Sequence, residues 1–419
     1  MVDLFKVIIR VRPHAVGKNA LPIDIALCPS WFVRAATGTH LQQDAIATKA
    51  MLMARYSGKS KKSALIHLSQ KNITQSRNIP LLDFWRSLSI TLVILGHLAP
   101  LGPRDWEMNG AFAATGMVMF FTLSGFLITR GLLHDGDVRR FLTVRLLRIA
   151  PLAWLGIALA AAISATPWLT MMMNAIFLAN IPPFWLLPAG AHFWSLCLEM
   201  QFYVGIAILV LIGRQRALLL LPVACLAITA LRIAANEPIS IVSWFRCDEI
   251  LAGATLALVH EGRLGVRLQR IVACPALMWL LPAVLLSAHP ASGAFMYLRP
   301  HLSALMIGAS IYSAPQWLHT LSRWWPVGYV ARTSYALYVF HGLLDHTWLG
   351  MGDTVEKYAK RPLLLGVTWA LSHLSTFYYE ARFNALARRL TRHRPDHLRP
   401  DTRLPAAVET SGKVPHRSQ

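Results

Sequence analysis

The feature that most constrains this chain is a succession of about ten apolar segments, each near the length that a helix needs to cross a bilayer. The segments lie near residues 80–102, 110–133, 149–168, 192–212, 216–234, 239–260, 271–288, 295–315, 326–348 and 362–381. The sequence is 55% hydrophobic and only 15% charged, and its mean hydropathy is +0.45. This pattern predicts an all-α integral membrane protein, a bundle of about ten transmembrane helices.

Despite its apolar composition, the chain carries a net charge of +21. The Lys and Arg residues gather between apolar segments, whereas a nucleic-acid-binding protein would spread them over a folded polar surface. With the N-terminus placed inside, the inside loops receive Arg139, Arg140, Arg145, Arg148, Arg214, Arg216, Arg263, Arg267, Arg270, Arg323, Arg388, Arg389, Arg392 and Arg394. The exceptions are Lys357, Lys360 and Arg361, which fall outside. The positive-inside rule therefore predicts that both termini are cytoplasmic, and we expect no nucleic-acid partner.

Three regions follow from the composition. Residues 1–78 are mixed and polar and lack a spanning segment, so we predict a poorly ordered cytoplasmic extension, or an over-long start that precedes Met51 or Met53. Residues 79–384 form the predicted transmembrane domain. Residues 385–419 are rich in Arg, His and Pro and are predicted to be a disordered basic tail, which serves as a topology signal or binds anionic lipid headgroups. The five cysteines form no CxxC pair, which favours small buried hydrophobes over metal ligands.

Three ionisable side chains share one face of the first apolar segment. Asp83, Arg86 and His97 lie on this face because eleven residues of helix return to within roughly 20° of the same direction. Ionisable residues are costly inside a membrane and are functional candidates by default. One interpretation is a structural ion pair with a hydrogen-bonded histidine, and the other is a general base whose charge can change near neutral pH.

A second candidate follows the second apolar segment. Gly116, Ser124 and Gly125 are small residues that predict a close helix crossing. Downstream, Arg145 and Arg148 are spaced i, i+3 and share one face of a helix at the predicted cytoplasmic boundary. They are either a positive-inside anchor or a clamp for phosphate oxygens, which paired guanidiniums bind well.

Further charged residues occur in later segments. His192, Ser195, Glu199 and Tyr203 step by three, four and four, so they share a face, and the deep Glu199 is expected to need a cationic partner. The spacing predicts two local pairs, one of Arg246 with Glu249 and one of His341 with Asp345.

Taken together, these segments resemble the membrane acyltransferase-3 family. The first element is Leu82-Asp83-Phe-Trp-Arg86 followed by His97, and the second is Phe120–Thr129 followed by the Arg145-x-x-Arg148 pair. The later elements are Trp194–Tyr203, Arg246–Gly253 and Ser334–His341. Five elements in the order of the family extend over about residues 79–380, and residues 1–78 are not covered.

The resemblance implies an O-acyltransferase of the bacterial inner membrane with an internal polar cavity. Its donor would be acetyl-CoA or another acyl-CoA, and its acceptor a hydroxyl of a carbohydrate or lipid-linked glycan; no metal is implied. His97 would be the general base or a transient acyl carrier, and Arg145 and Arg148 would hold donor phosphates. Asp83 and Arg86 would orient the site, and Trp194 and Glu199 would close it. Buried charges also suit a transporter or flippase, or a non-catalytic partner in polysaccharide assembly.

Overall fold

Helices are the regular secondary structure throughout residues 79–391, the part of the chain that a computed structural model describes. Residues 1–78 and 392–419, where the predicted extension and most of the predicted tail fall, lie outside the described residues. The α-helices are α1 Pro80–Leu98, α2 Met108–His134, α3 Val138–Ser164, α4 Trp168–Ala175, α5 Trp194–Gly213, α6 Leu221–Ala234, α7 Ser243–Arg246, α8 Asp248–His260, α9 Val266–Val272, α10 Leu281–Ser287, α11 Arg299–Ser313, α12 Gln316–Ser322, α13 Trp325–Asp345, α14 Thr354–Leu374 and α15 Glu380–Leu390. The all-α prediction is confirmed for these residues.

Short helices of other kinds join these elements. Segments of 3₁₀ helix lie at Arg104–Trp106, Pro188–Phe193, Arg214–Leu220, Pro275–Trp279 and Pro290–Leu298, and a π-helical segment lies at Ser375–Tyr379. The last α-helix ends at Leu390, beyond residue 385 where the sequence predicted the tail to begin.

Four stretches of helix are long and apolar enough to cross a bilayer. They are Pro80–Leu98, Arg104–His134, Val138–Ser164 and Pro188–Ala234. A fifth results if Leu281–Ser287 and Pro290–Ser313, which meet at a bend of 119°, are counted as one broken span. Helices α13 and α14 each have 21 residues, but they are less apolar. The chain is therefore a helical membrane protein, and the number of ten spans stays a prediction.

Local sequence explains where the main helices begin. Helix α1 starts at Pro80, where the fixed φ of proline and its missing N–H suit the first turn. Helix α3 is capped by Asp137, whose carboxylate accepts a hydrogen bond from the backbone N of Arg140 at 3.0 Å. Helix α14 is capped by Asp353, which accepts a hydrogen bond from the backbone N of Glu356 at 2.8 Å. These caps satisfy backbone N–H groups that have no partner within the helix.

Helix α2 lies at the centre of the helical packing because glycines let it approach its neighbours closely. A Cβ added at Gly116 would lie 2.5 Å from the carbonyl oxygen of Ser89 in α1, and one added at Gly125 would lie 1.8 Å from that of Ile250 in α8. The hydroxyl of Ser89 donates a hydrogen bond to the carbonyl oxygen of Gly116 at 2.7 Å. The close crossing predicted from these small residues is confirmed.

The outer surface of α5 and α6 is strongly apolar. Leu211 is 67% exposed and Ile212 is 82% exposed at the end of α5, and Val223 and Leu226 of α6 are exposed to a similar extent. Large exposed aliphatic side chains in contiguous rows are typical of a surface that faces lipid. This pair of helices therefore lies at the periphery of the membrane domain.

Candidate active site

A cavity of about 400 Å³ lies where the end of α1 meets the start of α5 and the second half of α13. Its lining includes His97, His192, Trp194, Arg246, Tyr338 and His341. Two of the residues predicted for the site, His97 and Trp194, are thus brought together. The cavity adjoins the C-terminal end of α1, which is the end that the positive-inside rule predicts to face away from the cytoplasm.

The imidazole of His97 is exposed and has a defined tautomer. Its Nδ1 lies 2.8 Å from the carbonyl oxygen of Val93, one helical turn earlier. Because a carbonyl oxygen only accepts hydrogen bonds, Nδ1 must carry the hydrogen, and Nε2 of the neutral ring keeps its lone pair. His97 therefore offers a basic nitrogen to a hydroxyl that enters the cavity.

Two further imidazoles pack beside His97. The ring centroid of His341 lies 5.1 Å from that of His97 and 5.0 Å from that of His192. Nδ1 of His341 bonds to the carbonyl oxygen of Tyr338 at 2.7 Å, and Nε2 of His192 bonds to that of Val339 at 3.2 Å. Each ring is therefore held by a backbone carbonyl. No group of His, Cys, Asp and Glu side chains in residues 79–391 is arranged to hold a metal ion.

The pair of His341 and Asp345 that the i, i+4 spacing predicted is not formed. His341 is fully buried and bonds to the backbone through Nδ1, while the carboxylate of Asp345 accepts a hydrogen bond from Nη1 of Arg361 at 2.6 Å. The guanidinium of Arg361, on the next helix, pairs with Asp345 in place of the imidazole, because a charge-assisted pair is stronger than a neutral hydrogen bond. Within the described residues, Nε2 of His341 has no hydrogen-bond partner.

Trp194 forms a wall of the cavity between two fixed groups. Its ring centroid lies 5.9 Å from that of Phe121 in α2. The guanidinium of Arg246 lies over its face, 5.3 Å from the centroid. A cation over an indole face is an attractive arrangement, so these contacts hold the indole in place.

The other predicted site residues form a second cluster near the start of α1. Arg86 interacts electrostatically with Arg148, Asp83 and Glu199, and also with Arg145. Asp83 and Arg148 are exposed, whereas Arg86 and Arg145 are half-buried. Residues from α1, α3 and α5 that are far apart in sequence therefore meet in one charged cluster.

Glu199 is satisfied by hydroxyl groups, and within residues 79–391 no cation pairs with it directly. Its Oε1 accepts hydrogen bonds from Oγ of Ser124 at 2.8 Å and from the hydroxyl of Tyr203 at 2.5 Å. The carboxylate is only 4% exposed, and its interactions with Arg86 and Arg148 act over a longer range. Two hydrogen bonds compensate for the burial of the charge where a single ion pair was expected.

The guanidiniums of Arg145 and Arg148 keep their donors available. Arg145 lies over the rings of Phe141 and Tyr203, at 6.0 and 5.7 Å from their centroids. Within residues 79–391 neither guanidinium forms an ion pair or donates a hydrogen bond, although both interact electrostatically with the cluster. Two adjacent guanidiniums with free donors are suited to an anion such as a phosphate group.

The two clusters lie at opposite ends of one face of α1. Arg86, Ile90, Ile94 and His97 succeed one another at steps of four, four and three residues, and both isoleucines are buried. The eleven residues from Arg86 to His97 correspond to a rise of about 16 Å. The sequence therefore predicted one stripe, whereas the structure divides it into an imidazole cavity at the C-terminal end of α1 and an arginine cluster near its start.

Two residues that make buried hydrogen bonds were not singled out as site candidates from the sequence. Tyr338 lines the cavity and bonds to Ser195 at 2.6 Å, and Arg299 bonds through Nε to Glu249 at 3.0 Å. The sequence does contain an indication for Arg299, because it is a lone cation near the start of an apolar segment. A charge at such a position needs a buried partner.

Comparison with protein families provides the deciding observation. The family model of the acyltransferase-3 domain matches residues 79–373, which is more than half of the chain. The chain belongs to the acyltransferase-3 family. It is therefore an acyltransferase, and the resemblance seen in the sequence is confirmed. Comparison with curated proteins and with solved structures gives no match.

Both clusters of this membrane acyltransferase lie inside the matched range. The match begins one residue before α1 and ends within α14. The imidazole cavity and the arginine cluster are thus features of the acyltransferase domain itself. This result selects an enzyme from the alternatives of a transporter or a non-catalytic assembly partner.

Proposed function

We propose that this acyltransferase moves an acyl group, acetyl in the simplest case, from cytoplasmic acyl-CoA to a hydroxyl of a carbohydrate or lipid-linked glycan. The observation that carries the proposal is the imidazole of His97, which lines a cavity and has its Nδ1 hydrogen bonded to the backbone. Such a ring is prepared to accept a proton at Nε2. The proposed location is the bacterial inner membrane, with ten spans and both termini cytoplasmic.

The donor is proposed to bind at the arginine cluster. Arg145 and Arg148 pair with the phosphates of acyl-CoA at the cytoplasmic side, and Asp83 and Arg86 orient the cluster around them. The pantetheine arm then carries the thioester from the arginine cluster toward His97. The free donors of the two guanidiniums support this role, because phosphate oxygens are the acceptors that they match best.

The proposed reaction takes place in the imidazole cavity. Nε2 of His97 accepts the proton of the acceptor hydroxyl while the hydroxyl oxygen attacks the thioester carbonyl. The C–S bond breaks as the new C–O ester bond is completed, and the CoA thiolate leaves and takes up the proton held by His97, which restores the neutral imidazole. Trp194 forms the wall of the cavity, and Glu199 fixes Tyr203 and Ser124 between the two clusters.

The direct test compares two histidine variants of the full-length protein in membranes. His97→Ala removes the proton acceptor and is expected to lower the rate of acyl transfer by about 10²- to 10⁴-fold, the usual contribution of general-base catalysis. His319→Ala, which alters a histidine in α12 outside the cavity lining, serves as the matched control. Transfer of labelled acetyl from acetyl-CoA to surface glycans is measured after equal membrane insertion has been verified.

Unimpaired turnover by correctly inserted His97→Ala would refute the role of His97. A radiolabelled protein adduct that forms from acetyl-CoA without acceptor, and disappears in His97→Ala, would replace general-base catalysis by an acyl-histidine intermediate.

A further inference from the structure

Next to the imidazole cavity, α6, α7, α8 and α11 bury a group of five charged side chains. These are Arg232, Arg246, Arg299, Asp248 and Glu249, and each is at most 3% exposed. Arg232 and Asp248 form one pair, with Nη1 and Oδ2 separated by 2.5 Å. Thr229 donates a further hydrogen bond to Oδ2 of Asp248 at 3.2 Å. This pair is neutral as a unit.

The remaining three charges do not balance. Oε1 of Glu249 lies 2.9 Å from Nη2 of Arg299, and its Oε2 lies 3.2 Å from Nε of Arg246. One carboxylate is therefore shared by two guanidiniums. Three buried cations face two buried anions, so the group carries one excess positive charge. An uncompensated buried charge is costly unless a counter-charge approaches it.

Arg246 brings the excess charge to the wall of the cavity, although only 3% of the residue is exposed. Its guanidinium donates one hydrogen bond within the described residues, from Nη1 to the carbonyl oxygen of Ser240 at 3.3 Å. Both residues line the cavity that contains His97. The carboxylate that also lines the cavity belongs to Asp345, which is already paired with Arg361 at 2.6 Å. The cavity therefore offers a cation with unused donors and a carboxylate that is already neutralised.

We propose that the cavity selects an acidic acceptor, in which a carboxylate or phosphate pairs with Arg246 while a nearby hydroxyl faces His97. This inference rests on the proposed function, because it assigns the cavity to the acceptor. Pairing with the anion supplies the counter-charge that the buried group lacks, and a planar guanidinium binds such an oxyanion through two parallel hydrogen bonds. Trp194, whose indole lies against the guanidinium, holds Arg246 in place at the cavity wall.

The test uses two glycosides that differ in one group. Methyl β-D-glucuronide carries a carboxylate where methyl β-D-glucoside carries a hydroxymethyl group. Binding of each glycoside to the full-length protein in detergent is measured from the rise of the thermal unfolding midpoint with glycoside concentration. The wild type is expected to bind the glucuronide about 10-fold or more tightly than the glucoside, the usual contribution of hydrogen bonds to a charged group.

Variants at Arg246 then assign the preference to its guanidinium. Arg246→Gln is expected to abolish the preference, and Arg246→Lys to reduce it to a few-fold, because it keeps the charge but loses the second parallel donor. Arg267→Gln removes an exposed guanidinium from α9 and is expected to keep the full preference. If Arg246→Gln does not fold, the outcome for Arg246→Lys decides.

Equal binding of the two glycosides by the wild type, or a full preference retained by folded Arg246→Gln or Arg246→Lys, would overturn the inference. Its failure is distinguishable from that of the proposed function. Acetyl transfer from acetyl-CoA to both glycosides with equal kcat/KM would remove the acidic preference and leave the acyltransfer proposal intact. Selective binding of the glucuronide without any acetyl transfer would support the acidic preference and contradict the acyltransfer proposal.

Discussion

Arg148 of α3 is exposed, and its guanidinium has unused donors beside Arg145 and Arg86. The guanidiniums of Arg86, Arg145 and Arg148 repel one another, and the carboxylates of Asp83, Glu199 and Glu380 offset part of this repulsion. A phosphate-rich donor would relieve this repulsion. The proposed role of the cluster therefore depends on the phosphates of the donor and not on its acyl group.

This dependence predicts a difference between two donors. Arg148→Gln is expected to lower kcat/KM for acetyl-CoA by about 10- to 100-fold, because each hydrogen bond to a charged group contributes about 1.5–3 kcal/mol. The same variant should leave kcat/KM for S-acetylpantetheine, which lacks the phosphates, near its wild-type value. Arg263→Gln is the control, since this exposed arginine lies in the loop after α8. Equal losses with both donors would contradict the phosphate role.

At this scale the sequence predicted which polar residues share a helix face better than it predicted their partners. Periodicity placed Asp83, Arg86 and His97 on one face of a helix because that relation depends on local geometry alone. The partners of Glu199 come from another helix in the case of Ser124, and no spacing within one segment reports such a contact. For the same reason the pairing of Asp345 with Arg361 replaced the predicted local pair.

Helices α2 and α8 cross at two glycines that leave no room for a side chain. A Cβ at Gly253 would lie 1.9 Å from the carbonyl oxygen of Thr122, and one at Gly125 would lie 1.8 Å from that of Ile250. The obstacles are backbone atoms, which cannot rotate away. The crossing fixes α8, with Glu249 in its first turn, beside the helix that carries Phe121 and Ser124.

Gly253→Ala should therefore be severely destabilising. Separating two helix backbones is expected to cost at least about 3 kcal/mol, the upper end of usual overpacking costs. Gly131→Ala in α2 is the matched control, because a Cβ there has no atom within 4 Å, and it should be neutral or stabilising by up to about 1 kcal/mol. Thermal unfolding of the two purified variants measures the difference. Comparable midpoints would show that the crossing is not as tight as described.

The boundaries of the helices were predicted less well than their existence. Helix α3 begins at Val138, whereas the apolar segment began near residue 149, because arginines end an apolar run without ending a helix. The segment near 271–288 is divided into short helices that start beside Pro275 and Pro282, since proline interrupts the backbone hydrogen bonds of a longer helix. Hydropathy reports burial in lipid, while backbone geometry decides where a helix ends.

For the molecule as a whole, the arginine cluster and the imidazole cavity lie at opposite ends of α1, which predicts two separate entrances. Arg86 and His97 are separated by about 16 Å of α1, a little over half the thickness of the hydrocarbon core. A donor that binds at the first and reacts at the second would enter from one side of the membrane only. The acceptor would enter from the other side.

This arrangement predicts a strict sidedness of the donor. Labelled acetyl-CoA, which does not cross membranes, should acetylate glycans in sealed inside-out vesicles, where the cytoplasmic face is accessible. Right-side-out vesicles should show almost no labelling until detergent opens them, and should then reach the level of the inside-out preparation. Vesicles that contain His97→Ala should remain unlabelled in both orientations, which controls for other transferases. Equal labelling of sealed vesicles of both orientations would contradict a donor site confined to the cytoplasmic face.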